Sequence, residues 1–173
     1  MIRICTLLGL ALSPAVIAVA AGTASAAPSG QPSAVSFEGS LKTASGQEPL
    51  EAAKVTFVPG KSGQAGLFMQ DARLDYPTAA DGYDAKRGKV EMWVKRQWEE
   101  TESPTDRILW LLQSDEGQNN LTYLGFRGTG AEGHVYFSNA GGVDAVRVPL
   151  EWKKDAWHHL VACWDESLRI RAL

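Results

Sequence analysis

The chain has 173 residues, 45% hydrophobic and 21% charged, with a formal net charge of −3. A mildly acidic balance without a Lys/Arg cluster excludes nucleic acid and anionic membrane as expected partners. This length gives one domain large enough to bury a core of its own.

Arg3 opens a short positive region, Ile4 to Gly22 is apolar apart from a Ser13-Pro14 break, and Ala24-Ser25-Ala26 has the small-x-small pattern of a cleavage site. Residues 1–26 are therefore expected to be a signal peptide cut after Ala26. The protein is expected to be secreted or held at the cell surface, without membrane contact after cleavage. Cys5 leaves with that segment, so Cys163 stands alone and no internal disulfide supports the domain. Residues 27–34, rich in Pro, Gly and Ser, read as a linker into a domain spanning 35–173.

Beyond the linker, short apolar runs with a period near two are separated by turn residues, which predicts an all-β, antiparallel chain. In Val90-Glu91-Met92-Trp93-Val94-Lys95, the residues Val90, Met92 and Val94 point one way while Glu91, Trp93 and Lys95 point the other. Similar runs cover Val55 to Val58, Ile108 to Gln113, Leu121 to Arg127, His134 to Ser138 and Ala145 to Val148. Pro49 to Lys54 fits one short helical turn.

The stretch Trp157-His158-His159-Leu160-Val161-Ala162-Cys163-Trp164-Asp165 concentrates groups capable of metal binding or catalysis. On a strand, however, neighbouring side chains diverge, so the two histidines cannot share an ion. His159 and Cys163 share a face but stand about 13 Å apart at ~3.3 Å per residue. A core histidine and a small buried thiol are the expected outcome.

Hydrolysis of a glycoside would need two carboxyl groups facing each other across a cleft. The acidic run Glu99 to Asp106 lacks strand alternation and reads as a solvated loop, and Glu91 is the single carboxylate inside its strand run. Asp71, Asp75, Asp81 and Asp84 offer hard oxygens for a calcium ion, without the spacing of a dedicated loop. Among the six tryptophans, Trp93, Trp152, Trp157 and Trp164 are expected in the core. Trp98 and Trp110 are candidates to stack on a sugar, with Gln118 and Asn139 as candidate polar partners.

Three motifs in order carry a family resemblance: Val55 to Ala65 with Gly60-x-x-Gly63-x-Ala65, Gly88 to Lys95 ending in Trp93-Val94-Lys95, and Trp157-His158-His159-Leu160. Together they resemble the laminin-G-like branch of the concanavalin A-like lectin/glucanase superfamily, from about Val35 onward. The resemblance implies a two-sheet antiparallel jelly-roll sandwich, expected to be incomplete at the C-terminus. It also implies a non-catalytic module binding carbohydrate or extracellular protein, with calcium as the one cofactor some relatives use. A fragment of a glucanase-like hydrolase and an inert piece of a larger surface protein are the alternatives.

Overall fold

The computed structural model describes residues 2–4, 15–18, 34–77, 88–98, 107–113, 121–127, 133–138, 146–149, 153–164 and 171–172. Its strands are β1 (Ile2–Ile4), β2 (Ala15–Ala18), β3 (Glu51–Pro59), β4 (Gln64–Tyr76), β5 (Gly88–Lys95), β6 (Arg107–Gln113), β7 (Leu121–Arg127), β8 (His134–Ser138), β9 (Val146–Pro149), β10 (Trp157–Trp164) and β11 (Arg171–Ala172). No helix occurs among the described residues. The helical turn expected at Pro49 to Lys54 is instead the start of β3, because Glu51 and Ala52 pair with Asp75 and Leu74.

Among the described residues every pairing between strands is antiparallel, and the order is β11-β10-β5-β2-β4-β1-β6-β7-β8-β9, with β3 on the other edge of β4. Strand β4 lies between the two halves of this path. Its first part, Gly66–Phe68, meets β2 and through it β5, while its last part, Leu74–Tyr76, meets β1 and through it β6. A bulge separates the two parts: pairing with β3 jumps from Ala53↔Arg73 to Val55↔Phe68. Lys54 and Asp71 take positive φ there, 53° and 58°, and the Lys54 ammonium lies 3.3 Å from the Asp71 carboxylate. Extra residues in one strand bend it and increase its twist, which suits a strand that passes from one half of the sheet to the other.

The halves close on each other through aromatic contacts. Trp164 of β10 stacks on Phe137 of β8 at 5.7 Å between ring centroids and lies 6.3 Å from Trp110 of β6. Trp98, just past β5, meets Phe126 of β7 edge-on at 5.4 Å. The architecture is thus all-β and sandwich-like, with inward residues Val90, Met92, Val94, Leu160 and Ala162 facing Leu124, Phe126, Val135 and Phe137 in one core.

Two glycines make close packing possible. A Cβ on Gly88 would collide with the Trp164 ring directly across the β5–β10 ladder. One on Gly66 would come within 2.8 Å of the Phe37 ring, which is fully buried and packs edge-on against Phe68 at 5.9 Å.

The expected leader and the observed ladder overlap, since both β1 and β2 lie within residues 1–26. Without them, β4 keeps β3, β5 keeps β10 and β6 keeps β7 as described ladder partners. Deleting residues 1–26 should therefore accelerate hydrogen exchange at β4 amides between Gly66 and Tyr76 while leaving the β7–β8 ladder protected. Equal β4 protection in both chains would contradict the bridging role. Gly66→Ala should cost about 1–3 kcal/mol in urea unfolding through overpacking against Phe37, and an unchanged midpoint would show that Phe37 has room to move.

Candidate functional site

The β5–β10 ladder sets Trp93 opposite His159, Glu91 opposite Val161, and Lys95 opposite Trp157. Alternation then fixes the faces: Val90, Met92, Val94, Leu160 and Ala162 are buried, while Glu91, Trp93, Lys95, Trp157, His159 and Cys163 lie on the outward side and are half-buried or exposed. His158 pairs with inward Val94 and His159 with outward Trp93, so the adjacent histidines separate by strand alternation.

The outward groups form a connected cluster. The Trp93 and His159 rings stack at 4.7 Å with 21° between planes, and the Lys61 ammonium sits 3.0 Å from the Trp93 centroid. His159 Nε2 is 2.8 Å from Glu91 Oε1, and Lys89 Nζ donates to Glu91 Oε2 at 2.6 Å. Lys95 lies over the Trp157 ring at 5.1 Å. The Lys89 hydrogen bond, aided by His159 and opposed by burial, holds the Glu91 carboxyl below its ordinary 4.5. Glu91 is therefore an ionised acceptor at neutral pH. Burial pushes the half-buried Cys163 thiol up, which makes it a poor nucleophile.

Such a face can stack an apolar ring surface and hold hydroxyls or anionic groups beside it. Lys89 is on the Glu91 carboxylate, Lys61 over the Trp93 ring and Lys95 over the Trp157 ring, so the face carries three ammonium groups beside the Glu91 carboxylate although the chain is acidic.

The residues singled out in the sequence fall elsewhere. Trp98 is 5% exposed, with Phe126 against its edge and the Arg107 guanidinium 4.1 Å above its ring, so it is a core residue and no platform for a sugar. Trp110 is half-buried and packs against the core beside Trp164. Trp164 is core as expected, whereas Trp93 and Trp157 face outward, and His159 is exposed instead of lying in the core. Asp71 pairs with Lys54 at the bulge, and Asp75, 1% exposed, accepts a 2.6 Å hydrogen bond from Arg73 Nε. Each of these two carboxylates thus has its own cation. No group of three His, Cys, Asp or Glu side chains suited to a metal occurs among the described residues. Gln118, Asn139, Asp81, Asp84 and Trp152 lie outside the described residues.

The Glu91–His159 contact joins residues 68 apart in sequence, and only the strand register reveals it. Comparison with protein-family models, with curated proteins and with solved structures gives no match.

Because folding depresses the Glu91 pKa, its contribution to stability is present above pH 4.5 and is lost as pH falls through the folded value. Glu91→Gln should lower the melting temperature at pH 7, and the difference from the parent should shrink towards pH 3. A difference independent of pH would contradict the assignment.

Proposed function

We propose that the chain is an exported, non-catalytic binding module of laminin-G-like jelly-roll type, recognising carbohydrate or an extracellular protein through the outward face of β5 and β10. The observation that supports this most is the placement of Trp93 and Trp157 on that face, flanked by Glu91, His159 and three lysines. Aromatic rings beside a few fixed polar groups are the usual composition of a sugar or protein contact, since the ring supplies area and the polar groups supply orientation.

Trp157 stands at the start of β10, with Lys95 as its cross-strand neighbour and partial exposure of its ring. A pyranose stacked there would meet the Lys95 ammonium at its edge. Trp93 supports the platform from the next outward position, and a swing of Lys61 away from its ring would extend the apolar surface.

The hydrolase alternative requires Glu91 to work with a second carboxyl group, one of the two staying protonated as general acid. Its observed partners, Lys89 and His159, favour the ionised form. Binding without bond cleavage fits that environment better.

The full chain, and the chain begun at Ala27 that an exported module keeps, should each retain a subset of immobilised glycans, or an extracellular protein, with and without calcium. Trp157→Ala should weaken retention by about tenfold or more, equivalent to about 1.4 kcal/mol, without changing the far-ultraviolet circular dichroism. Binding that is indifferent to Trp157 and Trp93 would remove the site from this face. Release of reducing sugar abolished by Glu91→Gln would replace binding with hydrolysis.

A further inference from the structure

Two groups compete for the Trp93 ring. The His159 imidazole stacks on it at 4.7 Å between centroids, and the Lys61 ammonium lies 3.0 Å from the same ring centre. Ammonium and imidazole therefore lie within a Debye length of each other, ~8 Å at physiological salt. Each feels the charge of the other.

They are held in different ways. His159 is fixed by the β5–β10 register, which sets it opposite Trp93, and by the 2.8 Å contact of its Nε2 with Glu91 Oε1. Lys61 belongs to the turn between β3 and β4, where the Gly60 N–H donates to the Gly63 carbonyl at 2.9 Å and the Gln64 N–H donates to Glu38 Oε1 at 3.1 Å. The backbone of this turn is pinned. The exposed Lys61 side chain, however, makes no ion pair with a carboxylate among the described residues, so the indole alone retains its ammonium. A cation on an exposed aromatic ring is favoured by only roughly two- to fivefold.

The other charged groups around His159 are Lys89 and Glu91 on β5, with Lys95 over Trp157 and Cys163 further along the same face, while β2 brings only Ala18 beside Trp93. Between pH 8 and pH 5 histidines take up a proton, whereas lysines titrate well above that range. Glu91 stays ionised because its carboxyl is held below 4.5, and burial keeps the Cys163 thiol neutral. His159 is thus the member of this cluster whose charge changes.

We infer that protonation of His159 releases Lys61 from the Trp93 ring, so that the outward face carries a cover on this indole that opens in mild acid. An imidazolium stacked on the ring takes over the attraction that held the ammonium, and it repels the ammonium as well. Across that separation in water the repulsion alone favours departure by roughly twofold, comparable to the hold of the ring. Glu91 does not cancel the effect, since its charge is the same in both states. The consequence for ligands rests on the binding reading above: an uncovered Trp93 adds its face to the platform at Trp157, so retention on immobilised glycans should rise about twofold or more from pH 7.5 to pH 5.5.

The test follows the Lys61 ε-methylene signal by nuclear magnetic resonance in the full chain labelled with ¹³C at lysine Cε, from pH 8 to pH 5. Lys61→Arg, which removes that signal, identifies it. At pH 8 the ring current should place it upfield of the other lysines, and on acidification it should move towards them along the same curve as the His159 imidazole protons. His159→Gln, which keeps a neutral donor for Glu91, should hold the signal upfield throughout. A Lys61 signal that does not move, or that moves equally in His159→Gln, would overturn the inference. The titration contains no ligand, so a failure of glycan retention at both pH values would remove the binding reading and leave the cover standing.

Discussion

The bulge that sets Lys54 against Asp71 determines how this sheet folds over. A regular 13-residue strand would hold one set of neighbours along its length, but β4 changes them in the middle. Before the bulge its edge leads to β5 and β10; after it, the same edge leads to β6 and β7. Phe68, Ala72, Leu74 and Tyr76 remain buried across the break, so the core continues where the ladder does not. Two left-handed non-glycine residues cost roughly 1–2 kcal/mol each, and their ion pair is too exposed to offset much of that. The burial of aromatic rings on both sides of the bend sustains the conformation instead.

The bend has a functional consequence. It brings the two halves together with β5 and β10 adjacent, one face setting Trp164 against Phe137 and Trp110 and the other towards solvent. On the outward face, a stacked imidazole and indole, a carboxylate and several ammonium groups are fixed by register, with no flexible loop required except at Lys61. Rigid strands place side chains more accurately than loops do.

Much of this was legible in the sequence. Alternation in Val90 to Lys95 placed Trp93 outward with Glu91 and Lys95, and the same rule parted His158 from His159. The expectation that Trp93 and Trp157 belong to the core set that alternation aside in favour of a general preference of aromatic rings for burial, and the alternation was the better guide. Trp98 shows the converse: it follows Arg96 and Gln97 at the end of β5, beside an acidic run that suggested exposure, yet its ring turns into the core against Phe126. Strand β4 escaped notice because Gly66 and the bulge residues Met69 to Ala72 interrupt its period of two. Strand β2 lies in a long apolar stretch, where no alternation distinguishes a strand from a leader, and β1, three residues around Arg3, is too short to show a period. The Glu91–His159 pair needed the β5–β10 register, which no local pattern contains.

The most direct test of this account is a map of cross-strand nuclear Overhauser contacts along β3 and β4. The bulge predicts close main-chain contacts for Thr56 with Leu67 and for Ala52 with Leu74, with the register broken between Ala53 and Val55. Gly66 should also contact the β5 side of the sheet and Tyr76 the β6 side. A continuous register through Lys54, with all of β4 facing one set of neighbours, would contradict the bend and the placement of the outward face that follows from it.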